Sequence, residues 1–226
     1  MKNHSTLHTS PFTLHPSHST LHPPPFTLHT PQKMKNLAIF VSGSGTNCEN
    51  IIRYFANHDE ISVSLVVSNR ADAFALVRAE RLNIPTAIVP KADFQNEEKV
   101  LDLLKKYDVD FIVLAGFLLI IPPYLIDAYP HRILNLHPAL LPKFGGKGMY
   151  GHHVHEAVWQ ARETETGITI HWVTADYDRG PIIAQFRTAV APTDTPDDIA
   201  AHIHELEQRH FPQVIEQAVR ETLFAD

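Results

Sequence analysis

From residue 34 onward, short apolar runs alternate with stretches whose apolar positions recur at helical spacing. Residues 36–41, 61–68, 85–89, 111–114 and 133–136 are compact runs rich in branched and aromatic residues, so they are predicted as buried strands. The segments 47–57, 71–82 and 96–107 between them are predicted as helices. Alternation of this kind implies an α/β fold with a Rossmann-like, mostly parallel sheet and helices on both faces, because parallel neighbours need a crossover connection. Further on, 167–173 and 181–189 are separated by little more than the turn Tyr177-Asp178-Arg179-Gly180. That pair is predicted as a C-terminal antiparallel hairpin. Residues 197–223 form a closing helix, with Thr195 as its cap, Pro196 in its first turn and a bend near Pro212.

Residues 1–33 are made differently. Thr-Leu-His recurs at 6–8, 13–15, 20–22 and 27–29. A coiled coil needs two apolar positions per heptad and an intact helix, whereas this segment offers one leucine per repeat and carries Pro11, Pro16, Pro23, Pro24, Pro25 and Pro31. It holds His4, His8, His15, His18, His22 and His29, but its composition predicts a disordered low-complexity tail rather than a metal site. It lacks the apolar core of a signal peptide. The expectation is that the repeat stems from a tandem repeat in non-coding DNA, that translation starts at Met34, and that 34–226 is a single domain.

Composition narrows the function. With 44% hydrophobic and 19% charged residues, the 226-residue chain carries enough apolar side chains for a real core. Lys+Arg 19 against Asp+Glu 25 gives a net charge of -6, with no footprint for gripping a phosphate backbone. Cys48 is the only cysteine, so no internal disulfide or multi-cysteine metal centre is available, and a cytoplasmic location is the default. The longest apolar run, 111–121, is too short to span a bilayer and stops at Pro122-Pro123. The expected partners are therefore small molecules, with no nucleic acid and no membrane; the oligomeric state is left open.

In a parallel sheet, ligands sit at the carboxyl ends of the strands, so the loops that follow strands are the informative ones. After the first strand comes Ser42-Gly43-Ser44-Gly45-Thr46-Asn47, leading into a helix. Glycines and free helix N–H groups suit a monophosphate. The loop is neither the dinucleotide fingerprint nor a Walker loop, and an ordinary capped turn is the alternative. The stretch Ala115-Gly116-Phe117-Leu118-Leu119-Ile120-Ile121-Pro122-Pro123 is either an apolar ligand slot or simply core. In Asn135-Leu136-His137-Pro138, strand alternation puts Asn135 and His137 on one side, an amide beside an imidazole at the sheet's carboxyl edge. His152-His153-Val154-His155 is expected to be a solvated loop entering a helix, and His204-Glu205-Leu206-Glu207-Gln208 lacks the second histidine of a zincin. No metal is expected.

Together with Ser68-Asn69-Arg70-Ala71-Asp72-Ala73, Leu114-Ala115-Gly116-Phe117, Asn135-Leu136-His137-Pro138-Ala139-Leu140-Leu141-Pro142-Lys143 and Asp178-Arg179-Gly180-Pro181, the first loop resembles the phosphoribosylglycinamide formyltransferase family. The Asn-x-His-Pro block is shared by folate-dependent formyltransferases and hydrolases generally. The glycine loop and a folded length of about 190 residues favour the purine enzyme over relatives that carry an added domain. The resemblance implies formyl transfer from 10-formyltetrahydrofolate, as co-substrate, to the amine of glycinamide ribonucleotide. It implies that Asn135, His137 and Asp178 are catalytic, with Asp178 favouring the protonated imidazole, and that Gly45, Thr46 and Asn47 hold the ribonucleotide phosphate. Glu207 would meet the glycinamide end. Leu118, Leu119, Ile120 and Ile121 would line a pteridine slot closed by Thr174, Ala175, Asp176, Tyr177 and Asp178. Two departures stand out: Leu119, where other members can carry an arginine, and the glycine-rich loop at 145–151, which leaves His152, His153 and His155 without an implied role. A hydrolase releasing formate from the same donor, and a catalytically silent nucleotide-binding module, are the competing readings.

Overall fold

The computed structural model describes residues 33–224. The repeat segment at 1–32, and with it the expected disordered tail, lies outside the described residues. β1 (Lys35–Val41), β2 (Ile61–Ser68), β3 (Thr86–Ile88) and β4 (Phe111–Leu114) pair in parallel, joined by crossovers through α1 (Thr46–Phe55), α2 (Phe74–Arg81) and α3 (Glu97–Lys106). A short α4 (Pro123–Ala128) leads to β5 (Ile133–His137), parallel to β4. After α5 (His152–Gln160), β6 (Glu165–Trp172) runs antiparallel to β5 and β7 (Ile182–Ala189) antiparallel to β6, before α6 (Pro196–Leu223) closes the chain. The strand order is β3-β2-β1-β4-β5-β6-β7. Strand order therefore reverses between β1 and β4, where such sheets open a crevice at their carboxyl ends.

The sheet is covered on both sides, which explains the unbroken apolar run of β1. Leu37, Ile39 and Val41 pack with Ile51 of α1, Leu76 of α2 and Val219 of α6, while Ala38 and Phe40 pack with Val100 and Leu104 of α3 and Leu125 of α4. Each fully buried side chain of this size contributes about 1.5–3 kcal/mol.

Three local outcomes differ from the sequence reading. First, α2 starts at Phe74 rather than at 71, because Ala73 is extended and the Ala75 N–H is taken by the Gly43 carbonyl at 3.1 Å. Second, residues 152–155 are not a solvated loop but the first turn of α5, with Val154 and His155 buried. Third, a short helix that the sequence reading did not place, α4, starts directly after Pro122, with Pro123 in its first turn, where a missing N–H costs nothing.

The closing helix begins as expected, with a reciprocal cap: Thr195 Oγ1 accepts from the Asp198 N–H, and Asp198 Oδ2 accepts from the Thr195 N–H. It continues through Pro212. Proline supplies no N–H to the carbonyl four residues back, that of Gln208, and Asn50 Nδ2 of α1 donates to it instead at 2.8 Å. The break in the helix ladder is thus the point where α6 is tied to α1.

Candidate active site

The loop after β1 is shaped by Gly45, which sits at φ 76° immediately before α1. A Cβ there would overlap the Ala75 side chain and lie 2.6 Å from Ala75 Cα, so only glycine permits both the backbone angle and the contact with α2. Ser42, buried beneath the loop, binds its neighbours together. Its hydroxyl donates to Asn69 Oδ1 at 2.5 Å and accepts the Leu118 N–H at 2.9 Å, and its own N–H donates to the Gly116 carbonyl at 3.0 Å. Loops following β1, β2 and β4 thereby become one unit. Among the described residues no side chain caps α1, so its first N–H groups remain available to an anion.

Asn47, in the first turn of α1, spends its side chain on α6. Nδ2 donates to Glu207 Oε2 and Oδ1 accepts from Gln208 Nε2, both at 2.8 Å. Asn47 can therefore offer an anion its backbone N–H, while its amide holds Glu207 at the mouth of the loop.

A second cluster lies at the end of β5. His137 is 3% exposed, and its Nε2 is 2.8 Å from the Phe144 carbonyl. A carbonyl only accepts, so Nε2 carries the proton and Nδ1 is left facing Asp178 Oδ2 at 3.7 Å. Asp178, its side chain 5% exposed, has φ 54° in the turn before β7. Its Oδ2 also accepts the Gly146 N–H at 3.0 Å, and its Oδ1 lies 3.8 Å from His171 Nε2. His171 Nδ1 donates to the Trp172 carbonyl at 3.0 Å, leaving Nε2 to accept from Asn135 Nδ2 at 3.1 Å. Asn135 is thus oriented by a neutral histidine.

The electrostatics depart from the sequence expectation. Burial holds the His137 imidazole below the usual histidine value, and the Asp178 carboxylate and Phe144 carbonyl pull it back up without cancelling that effect. Burial likewise lowers His171 and His155. His137 is therefore poised to take a proton at Nδ1, on the side facing Asp178, only when something in the site favours the charged form.

The structure brings the expected residues together. One cavity of about 370 Å³ is lined by Gly45, Thr46 and Asn47 at one end, Asn135, His137 and Asp178 at the other, and Leu118, His155, His204 and Glu207 between or beside them. A second, narrower cleft joins it at Asn135 and Asp178; its walls include Leu119, Ile120 and Ile121 on one side and Thr174, Ala175, Asp176 and Tyr177 on the other. Burial pushes the Cys48 thiol up to about 12, which makes it an inert core residue rather than a nucleophile. Among the described residues, no group of three or more His, Cys, Asp or Glu is placed to hold a metal ion.

Sequence reasoning missed His171, His155, His204 and the role of Ser42. For His171 the signal lies in strand register: Asn135 is paired with His171, and His137 with Thr169. Directly opposed residues of antiparallel strands share a face. Thr169 Oγ1 donates to the Ala139 carbonyl at 2.7 Å and accepts the Leu141 N–H at 3.0 Å, fixing the backbone just beyond His137.

Comparison with known proteins points the same way. The family described as formyl transferase matches residues 35–215. A chloroplastic phosphoribosylglycinamide formyltransferase from Arabidopsis thaliana is 40% identical over 195 residues, covering 81% of this chain and 65% of that protein. The phosphoribosylglycinamide formyltransferase of Haemophilus influenzae is 35% identical over 187 residues, covering 80% and 86%. This chain thus spans slightly less than two thirds of the plant relative and most of the bacterial one. Among solved structures, that of phosphoribosylglycinamide formyltransferase from Anaplasma phagocytophilum superposes with a TM-score of 0.76 at 31% identity, covering 84% of this chain and 89% of that one.

Proposed function

This chain belongs to the formyl transferase family, and on that premise we propose that it transfers the formyl group of 10-formyltetrahydrofolate to the amine of glycinamide ribonucleotide, a step of purine biosynthesis. The observation that carries this reading is the shared cavity: an uncapped helix start behind a glycine loop and a buried amide–imidazole–carboxylate cluster face one space, and an apolar cleft opens beside the cluster. A ribonucleotide phosphate would lie on the Gly45, Thr46 and Asn47 backbone, and the pteridine would enter the cleft between 119–121 and 174–178, with Leu118 at the wall of the main cavity. Relatives bearing the phosphoribosylglycinamide formyltransferase name in plants and bacteria support the choice of acceptor.

In this reading the amine nitrogen bonds to the formyl carbon, the bond from that carbon to N10 breaks, and a proton passes from the amine to N10. Asn135, held by His171, donates to the formyl oxygen as negative charge develops there. His137, its two ring nitrogens turned to the Phe144 carbonyl and to Asp178, would in its protonated form lend positive charge beside that oxygen, and Asp178 at 3.7 Å would stabilise the imidazolium and order the water that relays the proton. Glu207, fixed by Asn47, would meet the glycinamide end.

The substrates are small molecules, and we infer a cytoplasmic enzyme that needs neither metal nor nucleic acid. Among the described residues no helix is long and apolar enough to cross a membrane. The test is turnover of 10-formyltetrahydrofolate with and without glycinamide ribonucleotide. Transfer predicts deformylation only when the acceptor is present; equal rates of formate release in both mixtures would make the protein a hydrolase, and binding without turnover would make it a silent nucleotide-binding module.

A further inference from the structure

A cavity of about 680 Å³, larger than the one that holds the candidate active site, opens between the end of α5 with the turn that follows it and the segment joining β7 to α6. Trp159, Arg162, Glu163, Val190, Pro192 and Asp194 are among its walls, and it shares no lining residue with the active-site cavity or the cleft beside it. Its volume falls within the range of small-molecule sites, yet formyl transfer gives it no role. A single exposed apolar side chain is ordinary on a protein surface. Here the exposed residue is a tryptophan, it borders a hollow, and an arginine three positions on stands in the same wall.

Each of these groups has a defined chemistry. Trp159 lies in the last turn of α5 and is 50% exposed, while Val154, His155 and Val158 carry the buried side of that helix. An indole left in water at the edge of a hollow is a platform for a flat ring. Arg162 takes a left-handed backbone at φ 52° just beyond the helix end, the place where glycine is the usual residue, so the chain turns there on a residue that also brings a guanidinium. The neighbouring Glu163 carboxylate is taken by Lys143 at 2.9 Å, and among the described residues the Arg162 guanidinium has no ion-pair partner. On the other segment, Asp194 Oδ2 accepts the Ala191 N–H at 2.9 Å and lies 3.7 Å from His202 Nδ1. Both contacts fall on one oxygen, which leaves Oδ1 to accept from a ligand.

We propose that this cavity is a second ligand site, which binds a purine nucleoside monophosphate with its base stacked on Trp159, its phosphate on Arg162 and a ribose hydroxyl on Asp194. The combination of groups selects the ligand. An inorganic phosphate or a sugar phosphate would use Arg162 and leave the indole in water, and an uncharged aromatic would cover the indole and leave the guanidinium unpaired. A nucleoside monophosphate satisfies both and brings hydroxyls to the carboxylate. The two-ring base of a purine covers more of the indole than a single ring does. Arg162 is the only lysine or arginine in the walls, which suits one phosphate; a longer polyphosphate would set further negative charge near Asp194 with no cation to meet it. Because the two cavities have no residue in common, this binding does not depend on the formyl-transfer reading.

The experiment titrates the full chain with adenosine 5′-monophosphate, adenosine and ribose 5-phosphate, read by tryptophan emission and by calorimetry, for the unmodified protein, Trp159→Leu and Arg162→Gln. The monophosphate is expected to quench a saturable part of the emission that is missing in Trp159→Leu, since the other tryptophan, Trp172, does not line this cavity. Arg162→Gln should weaken the monophosphate about tenfold or more and leave adenosine unchanged, because only the phosphate contact is lost. Trp159→Leu should weaken both by about tenfold. Ribose 5-phosphate reports any binding at the start of α1, which all three proteins share, and should not quench Trp159. Melting temperatures should be unchanged, both side chains being exposed; if that of Trp159→Leu falls, Arg162→Gln decides alone through the difference between monophosphate and adenosine. A monophosphate affinity that neither substitution alters, an equal loss for adenosine in Arg162→Gln, or quenching by ribose 5-phosphate as strong as by the monophosphate would each overturn the site. So would an emission that shifts with protein concentration and not with nucleotide, which would mean that the groove receives a second copy of the chain. Because these readouts do not use turnover, a failure of formyl transfer in the unmodified protein would be recognised separately.

Discussion

At the α1 end of the cavity the backbone supplies the chemistry, through a left-handed glycine and the open N–H groups of a helix start. At the β5–β6 end side chains supply it, through His137, His171 and Asp178 packed almost out of water and a partly buried Asn135 bonded to His171. The first arrangement is local: Gly45, Thr46 and Asn47 are consecutive. The second is assembled from two segments more than thirty positions apart, held by the antiparallel register that sets Asn135 against His171. The contrast suggests a division of labour, with rigid local backbone for binding an anion and buried, poorly solvated side chains for stabilising charge that appears only during reaction.

The sharpest way to break that division is His137→Ala. Turnover should fall on the order of a hundred-fold or more, because the imidazolium charge beside the developing oxyanion is lost, while both substrates still bind. Circular dichroism, melting temperature and substrate affinity check it; unchanged turnover with a large drop in melting temperature would return His137 to the role of a core residue. At the opposite end, Gly45→Val should raise KM for the ribonucleotide far more than for the formyl donor. It should also destabilise the protein by roughly 1–3 kcal/mol for the backbone angle, and more for the overlap with Ala75. Equal loss of both affinities would mean general damage to the sheet rather than damage to one end.

The tie between α1 and α6 offers a finer probe. Asn50→Ala leaves the Gln208 carbonyl without a donor and should cost about 1–3 kcal/mol in denaturant unfolding. In a Pro212→Ala background the same change should cost much less, since alanine at that position supplies the missing N–H. Equal costs in both backgrounds would show that the Asn50 bond does not substitute for the ladder.

The smallest effect concerns pH. His137, His155 and His171 have folded-state values below those of the unfolded chain, so below about pH 6.5 the unfolded state binds more protons and stability falls. The melting temperature should drop by several degrees between pH 7.5 and pH 5, and less so in His155→Gln. A flat profile would mean these rings are not held neutral by burial.

Much of this was legible in the sequence because it is written locally. The period of apolar residues marked the strands of the parallel half, and Ser42-Gly43-Ser44-Gly45 announced a turn into a helix. Asn135 and His137 were readable as a pair because strands alternate. His171 was not readable: its partner is fixed by the register of β5 against β6, which no single strand encodes. His155 was hidden because 152–155 carries three histidines and the start of α5 has no side-chain cap. The lowered His137 value was also out of reach, since Asp178 as a neighbour implied the opposite sign and only the depth of burial reverses it.

The division of labour is tested most directly at Asp178. Asparagine tolerates the left-handed backbone at φ 54° and can still accept the Gly146 N–H, so Asp178→Asn removes charge and little else. The measurement is a pH–rate profile of this variant and the unmodified protein, with NMR titration of the His137 ring in both. Turnover should fall while folate binding holds, and the His137 value, already low, should fall further once the carboxylate no longer supports the imidazolium. A variant that keeps full turnover, with His137 titrating as before, would make Asp178 a turn residue and leave the reacting end of the cavity to Asn135 and His137 alone.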